Sequence, residues 1–343
     1  MVRAKKSQLA KQQQKAKLTK EQQLLLHRNL TRAMVLDRLM MRLIRAGRLV
    51  GFYHEGGISL APGVASATFL RTDDIMCPHY RAHALAQMIS KRIDVRSYFA
   101  EHMGREAGCC LGRSSFHPCF PDDHIFGWSG NIGYNFGVSI GYGLAAKLKR
   151  TGQIVMNCSG DGSYGEGRAH EAMLMCANWK LPVVFWCEAN GMMQHTSMRD
   201  AFPGPHISAL AAGYGIPAQV VDGQDLFACA EAALDAIAHV QRGAGPVFVE
   251  CITLRSQEHS VGGVNQEGIK LREPQLMEEW KNRRDPLQLA RARLLKERAI
   301  TEKEISRLQA EAEREAEEIE AFCEASPKAT PSIEAMQAAV YAA

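Results

Sequence analysis

Two apolar runs, each ending on a polar residue and separated by a helix-forming segment, constrain this chain most. Ile154-Val155-Met156-Asn157-Cys158 and Leu181-Pro182-Val183-Val184-Phe185-Trp186-Cys187 are short and dense in branched, aromatic and sulfur side chains, so they read as strands buried on both faces. Glu171-Ala172-Met173-Leu174-Met175-Cys176-Ala177 between them favours helix. Such a strand–helix–strand unit makes parallel neighbours of the two strands and brings whatever follows them to one rim of the sheet. Gly160-Asp161-Gly162 follows the first and Asn190-Gly191 the second. Open parallel sheets bind ligands at that rim. A carboxylate, a carboxamide oxygen and a nearby loop carbonyl form the hard oxygen set that Mg2+ prefers, with phosphate and water completing its shell. Asp161 and Asn190 therefore predict a metal that anchors a diphosphate.

The same alternation extends along the chain. Helix is expected from about Leu24 to Leu49, over Ala61–Leu70, over Ile93–His102 and over the Gly/Ala-rich stretch Gly133–Lys149, which must pack closely against something. A short strand ends at Pro78, and Cys109 to Asn131 is rich in loop residues. Strand Gln219–Val221, helix Asp225–Val240 and strand Pro246–Thr253 complete a doubly wound, mostly parallel α/β sheet. Helix resumes after Asp285-Pro286, and Thr301-Glu302-Lys303-Glu304 opens a charged helix to Cys323 with a capping residue followed by acids. The domain reading is a basic tail over 1–23 and one α/β domain over 24–343, with a helical extension from about 285.

With 343 residues, a formal charge of +4 and 46% hydrophobic residues, the chain can bury a full core and carries no charge excess that points to nucleic acid. The tail has Lys5, Lys6, Lys11, Lys15, Lys17 and Lys20 among glutamines, without the aromatic interleaving of a nucleic-acid surface, and reads as a solvated segment. No apolar run approaches the roughly 20 residues of a membrane span, and no signal peptide opens the chain. Ten cysteines without framework spacing, several in expected strands, suggest reduced core thiols and a cytoplasmic protein. Cys109-Cys110 with Cys119 also raises a metal site, but adjacent cysteines rarely chelate one ion.

The stretch Gly160-Asp161-Gly162-Ser163-Tyr164-Gly165-Glu166-Gly167, continued by His170-Glu171-Ala172, Leu181–Phe185 and Asn190, resembles the thiamine-diphosphate motif of the alpha subunits of 2-oxo acid dehydrogenase first components, of the pyruvate and acetoin type. The resemblance covers about residues 25–342. Gly51-Phe52-Tyr53-His54 looks like the family's early Gly-Phe-x-His turn, and Pro78-His79-Tyr80-Arg81-Ala82-His83 is similar to its Pro-x-Tyr-Arg-x-His segment. Gly112-Arg113-Ser114-Ser115-Phe116-His117 stands where the family has a Gly-rich loop ending in Met-His, and Arg255-Ser256-Gln257-Glu258-His259-Ser260 matches its Arg-Tyr-x-Gly-His-Ser loop. Arg81, Arg255 and His259 are candidates to meet the diphosphate charge, and Tyr80 to stack on or hydrogen-bond the cofactor. His117 and His259 are the candidate catalytic residues, His117 facing the substrate. The resemblance further implies that Gly160, Asp161, Gly162 and Ser163 cradle the diphosphate, that backbone groups at Gly130 and Ile132 grip the pyrimidine, and that the Met192 carbonyl joins Asp161 and Asn190 on Mg2+.

Departures concentrate on the substrate side. Ile58-Ser59-Leu60-Ala61 replaces the family's Gly-Gln-Glu-Ala, Glu258 replaces the glycine before His259, and Gly191-Met192-Met193 replaces Leu-Tyr-Gly. The family further implies a beta subunit that donates a glutamate in an α2β2 assembly, a 2-oxo acid substrate and a lipoyl-bearing acyltransferase. The altered loops keep two alternatives open: a carboligase or transketolase-like half-enzyme without a lipoyl partner, and a non-catalytic cofactor-binding scaffold.

Overall fold

The computed structural model describes residues 16–114, 116–262 and 274–340. A long helix, α1 (Lys20–Arg45), opens it and starts earlier than the apolar pattern predicts. Thr19 caps it: the Thr19 hydroxyl accepts from Gln22 N, and the Gln22 side chain accepts from Thr19 N. This reciprocal cap offsets the unfavourable polar first turn, which an apolar periodicity cannot register. Residues 1–15 of the basic tail lie outside the described residues, while Ala16 N donates to Asp235 Oδ1 at 3.2 Å.

After α1 come α2 (Leu60–Thr68), β1 (Ile75–Cys77), α3 (Leu85–Ser90), α4 (Arg96–His102) and α5 (Tyr134–Lys149). The unit read first in the sequence is β2 (Val155–Gly160), α6 (Gly167–Trp179) and β3 (Val183–Ala189), followed by a small hairpin of β4 (Met192–Met193) and β5 (Thr196–Ser197). Two short helices, α7 (Met198–Ala201) and α8 (Ala209–Gly213), lead to β6 (Ala218–Asp222), α9 (Leu226–Gln241) and β7 (Val247–Ile252). Four helices complete the described chain: α10 (Pro274–Arg283), α11 (Pro286–Lys296), α12 (Glu302–Ala325) and α13 (Ile333–Ala338).

The main sheet has five parallel strands in the order β1-β2-β3-β7-β6. Alternate residues of the central strands serve two cores. Met156, Cys158, Val184, Trp186 and Val249 meet α2 and α9 on one face, with α1 packed on those helices in the same core. Val155, Val183, Phe185 and Phe248 meet α5 and α6 on the other. Only part of α5 is closely packed: a Cβ on Gly143 would lie 3.0 Å from Val183, whereas Gly137 and Gly141 face open space. The chain steps outward through β1, β2 and β3 in one direction and returns through β6 and β7, so the reversal falls between β3 and β7. Ligands gather at such a reversal. Among the described residues, no helix is long and apolar enough to cross a membrane.

Candidate functional site

Asp161 starts the turn directly after β2, and Asn190 ends the run directly after β3, so parallel pairing of Gly160 with Glu188 sets the two side by side at the carboxyl rim. Backbone amides then fix both side chains. Asp161 Oδ1 accepts from Gly162 N at 2.9 Å and Oδ2 from Gly191 N at 2.7 Å. Asn190 Oδ1 accepts from Met192 N at 3.1 Å. Gly191 turns the chain between them at φ +78°, a conformation glycine adopts without a Cβ clash. Burial pushes the Asp161 carboxyl up to about 6, against the lowering effect of the two amides and of His79 and Arg81. A nearly dry carboxylate whose oxygens keep further lone pairs, beside a carboxamide oxygen and the Met192 backbone, is an oxygen-donor set that a hard divalent cation suits.

These groups open onto a cavity of about 960 Å3, large enough for a cofactor. Tyr80, Gly130, Ile132, Gly160, Asp161, Gly162, Ser163, Asn190, Met192 and His259 line it. The glycines allow close backbone approach: a Cβ on Gly162 would meet Met193 Cγ at 2.7 Å. Ser163 is buried beside them. Phe52, Phe116, Ile132 and Met193 supply the apolar wall, and Glu166 reaches the cavity from the residue before α6.

Three sequence-selected residues stand off the cavity wall. Arg81 is buried behind it, its guanidinium donating to the Glu55 carbonyl at 3.0 Å and to the His259 carbonyl at 3.5 Å. Arg255 is buried as well and donates to the Gln194 carbonyl at 2.9 Å and to His259 Nδ1 at 3.4 Å. Because arginine can only donate, His259 Nδ1 is bare and its Nε2 carries the proton. Burial, and then the charges of Arg81 and Arg255, hold His259 down to about 3, so the ring is neutral. His117 is exposed, with Nε2 accepting from Gly130 N at 3.4 Å. Leu60, at the position of a family carboxylate, is a core residue of α2.

Other residues of the site escaped the sequence. His79 lines the cavity, its Nδ1 3.2 Å from Glu188 Oε2, while Gln87 donates to Glu188 Oε1 at 3.0 Å. His54 also lines it, in edge contact with Tyr80 and His259 at centroid distances of 4.7 and 4.8 Å. The turn that carries His54 hangs on buried Asp37 of α1, which accepts from the Tyr53 hydroxyl at 2.6 Å and from the amides of Gly56 and Gly57. A lone Asp in an apolar helix pattern was the available signal for that anchor. The Glu101–Cys109–Cys110 cluster has its carboxylate occupied, since Glu101 accepts from the amides of Cys110, Gly112 and Ser114.

The family model described as the dehydrogenase E1 component matches residues 28–333. The alpha subunit of acetoin:2,6-dichlorophenolindophenol oxidoreductase from Bacillus subtilis is 31% identical over 281 residues, which is 82% of this chain and 83% of that protein. The pyruvate dehydrogenase E1 alpha subunit of Zymomonas mobilis is 32% identical over 82% of this chain and 78% of its own length. A rat testis-specific mitochondrial pyruvate dehydrogenase E1 alpha subunit is 28% identical over 91% of this chain and 78% of its own. The chain belongs to the dehydrogenase E1 component family, as a divergent alpha subunit.

Proposed function

We propose that this chain binds the diphosphate and metal of thiamine diphosphate as the alpha subunit of a 2-oxo acid dehydrogenase acting on pyruvate or a related 2-oxo acid, or on acetoin. The carrying observation is the convergence of Asp161 and Asn190, each held by a neighbouring amide, on one cavity at the carboxyl rim of the sheet. Asp161, Asn190 and the Met192 carbonyl would hold Mg2+, and the glycines at 160 and 162 would admit the diphosphate against the backbone. Thiamine diphosphate, when bound, supplies the nucleophile and electron sink for decarboxylation.

The chain's own groups then bind, orient and exclude water. His259 Nε2–H is a donor for a phosphate or carboxylate oxygen, and Arg255 keeps it in that form. Arg81 acts at one remove, tying the Glu55 turn to the His259 loop while adding positive charge behind the cavity. Phe52, Phe116 and Met193 keep one flank dry. His117, next to Gly130, would orient the substrate. A beta subunit in an α2β2 assembly would close the open side, and a lipoyl-bearing acyltransferase would receive the acyl group. All ten cysteines are free, as a cytoplasmic location leaves them.

Calorimetric titration of thiamine diphosphate with and without Mg2+ tests the site. Metal-dependent binding is the expected result, and binding of equal strength in excess chelator would refute it. Lipoyl-dependent turnover with a beta subunit separates this reading from a carboligase.

A further inference from the structure

Behind the cavity wall, three buried histidines form one hydrogen-bonded line. His54 Nδ1 lies 3.2 Å from His83 Nε2, His83 Nδ1 lies 2.9 Å from His102 Nε2, and His102 Nδ1 lies 3.0 Å from the carbonyl of Tyr98. All three rings are at most 4% exposed. Their positions come from three separate elements: the Gly51–Gly57 turn, the residues before α3, and the last turn of α4. His83 sits in a run of left-handed backbone, with φ +51°, +45° and +63° at Ala82, His83 and Ala84. Non-glycine residues adopt that conformation at a cost, and it persists where the surroundings over-determine it.

Groups with no choice of role fix the protons at both ends of this line. A carbonyl only accepts, so His102 Nδ1 carries a proton. Burial holds His102 down to about 4, so the ring is neutral and its Nε2 is bare. His83 Nδ1 must therefore donate to it, which leaves His83 Nε2 bare. At the other end the backbone N–H of His54 only donates, and it points at His83 Nε2 from 3.3 Å. That contact independently requires the same bare nitrogen. His54 Nδ1, facing that atom as well, then carries its proton. Burial, with the charge of Arg81 adding to it, holds His54 well below the ordinary imidazole value, so its second nitrogen, Nε2, is a bare acceptor.

We propose that His83 and His102 are positioning residues that lock His54 in its Nδ1-protonated form, so that His54 Nε2 meets the cavity as an obligatory hydrogen-bond acceptor. This builds on the reading of the cavity as the cofactor and substrate site. His54 and His259 then oppose each other chemically across 4.8 Å, one ring accepting through Nε2 and the other donating through Nε2. The accepting ring selects a hydroxyl or thiol hydrogen on the bound substrate. The donating ring selects an anionic oxygen. His54 is thereby assigned away from the substrate carboxylate, which two acceptors could not share.

Ring 15N spectra of the full chain, free of cofactor and partner, test the lock directly. Each signal is assigned by its loss on substitution. His54, His83 and His102 are expected as neutral rings with Nδ1 protonated and Nε2 bare. In His102→Leu one of the two constraints on His83 is lost, leaving only the 3.3 Å His54 N–H contact, and part of the His54 population should shift to the Nε2-protonated form. In His102→Gln the carboxamide oxygen replaces that acceptor, and His54 should keep its proton on Nδ1. A wild-type His54 protonated on Nε2, or one unmoved by His102→Leu, overturns the proposal. In the assembled enzyme His102→Leu should lower kcat roughly tenfold or more, the scale of one lost buried hydrogen bond, at unchanged thiamine diphosphate affinity. His102→Gln should restore it, and equal losses in both variants count against the lock. If the wild-type assembly turns over no 2-oxo acid, the functional reading fails while the spectra still decide the relay. Should His102→Leu not fold, the wild-type and His102→Gln spectra alone decide whether the lock exists.

Discussion

Gly160 and His79 touch across the carboxyl rim so closely that a Cβ on Gly160 would lie 2.9 Å from His79 Nε2. The Gly160 backbone itself, at φ −76° and ψ 161°, suits any residue, so only space forbids a side chain here. Gly160→Ala should push His79 from its 3.2 Å contact with Glu188 and narrow the diphosphate cradle. Overpacking of this kind costs about 1–3 kcal/mol. We expect a chain that folds, with a lower Tm, and a cofactor affinity reduced by roughly tenfold or more. Calorimetric affinity equal to wild type would show that the cradle lies elsewhere.

Asp161 can be tested by comparing two substitutions. Asp161→Ala removes the metal-binding oxygens and also leaves the amides of Gly162 and Gly191 without their acceptor, so it should lower both Tm and metal-dependent affinity. Asp161→Asn keeps one acceptor oxygen, turns an NH2 toward the other amide and removes the charge, so its Tm should fall through one lost amide acceptor rather than two while Mg2+-dependent binding of thiamine diphosphate collapses. Thermal melts and titrations of both variants read this out. Cofactor binding retained in Asp161→Asn would displace the metal from this carboxylate.

Arg81 donates to two carbonyls through a planar fork, which lysine cannot copy. Arg81→Ala should release the tie between the Glu55 turn and the His259 loop and remove the charge behind the cavity, so Tm and cofactor affinity should both fall. Arg81→Lys should recover only a minor part of that, although it restores the charge. A full recovery by lysine would mean that charge alone is what matters at this position.

His27 gives a pH dependence remote from the site. It is fully buried in α1, neither ring nitrogen has a hydrogen-bond partner among the described residues, and burial lowers it to about 4. The folded value lies below the unfolded one of about 6.5, so the unfolded chain takes up the proton first as pH falls. Stability attached to His27 is therefore complete above about pH 6.5 and is lost between there and about pH 4, to a total on the order of 3 kcal/mol. His27→Leu should flatten that part of the acid limb in chemical denaturation between pH 7 and pH 4. An identical slope in the variant would exclude His27 as a contributor.

The chain alone should be inactive toward pyruvate and other 2-oxo acids and should gain turnover with a beta subunit. Glu166, half-exposed in the cavity wall, is the residue through which this expectation is most exposed to refutation. Steady turnover by the isolated chain, abolished by Glu166→Gln, would make the chain self-sufficient and Glu166 its acid–base group.

The strands and the two rim residues were legible because they obey local rules: a buried run of period-independent apolar residues, then a glycine-flanked polar residue. Likewise Thr301 and Glu304 signal the start of α12, and both halves of that capping box form. What escaped was non-local. Nothing in the sequence around His102 shows that its ring meets His83, nor that Asp37 holds the His54 turn from a helix in the first core layer. Arg81 and Arg255 read as diphosphate ligands through their charge and the family segments that carry them, and the fold sets their guanidinium groups against the Glu55, His259 and Gln194 carbonyls. Charge names a residue's chemistry, while the direction of a side chain depends on packing between distant elements. The left-handed run at Ala82–Ala84, at residues with no glycine to mark it, was equally invisible.

Helix α1 and the turn after it rest against α12 through Arg32 with Glu315, Arg42 with Glu320, and Arg48 with Glu320 and Glu324. The first of these partners are separated by 283 positions, so the helix made earliest by the ribosome is matched with one made among the last. Until α12 emerges, the apolar stripe of α1 has only the intermediate elements to rest on, chiefly α2, α3, α9 and α11. Closure of a loop this long is slow and leaves sticky surface exposed in the meantime. Synthesis of this chain thus has a built-in waiting period, during which one flank of its first helix lacks its final partner.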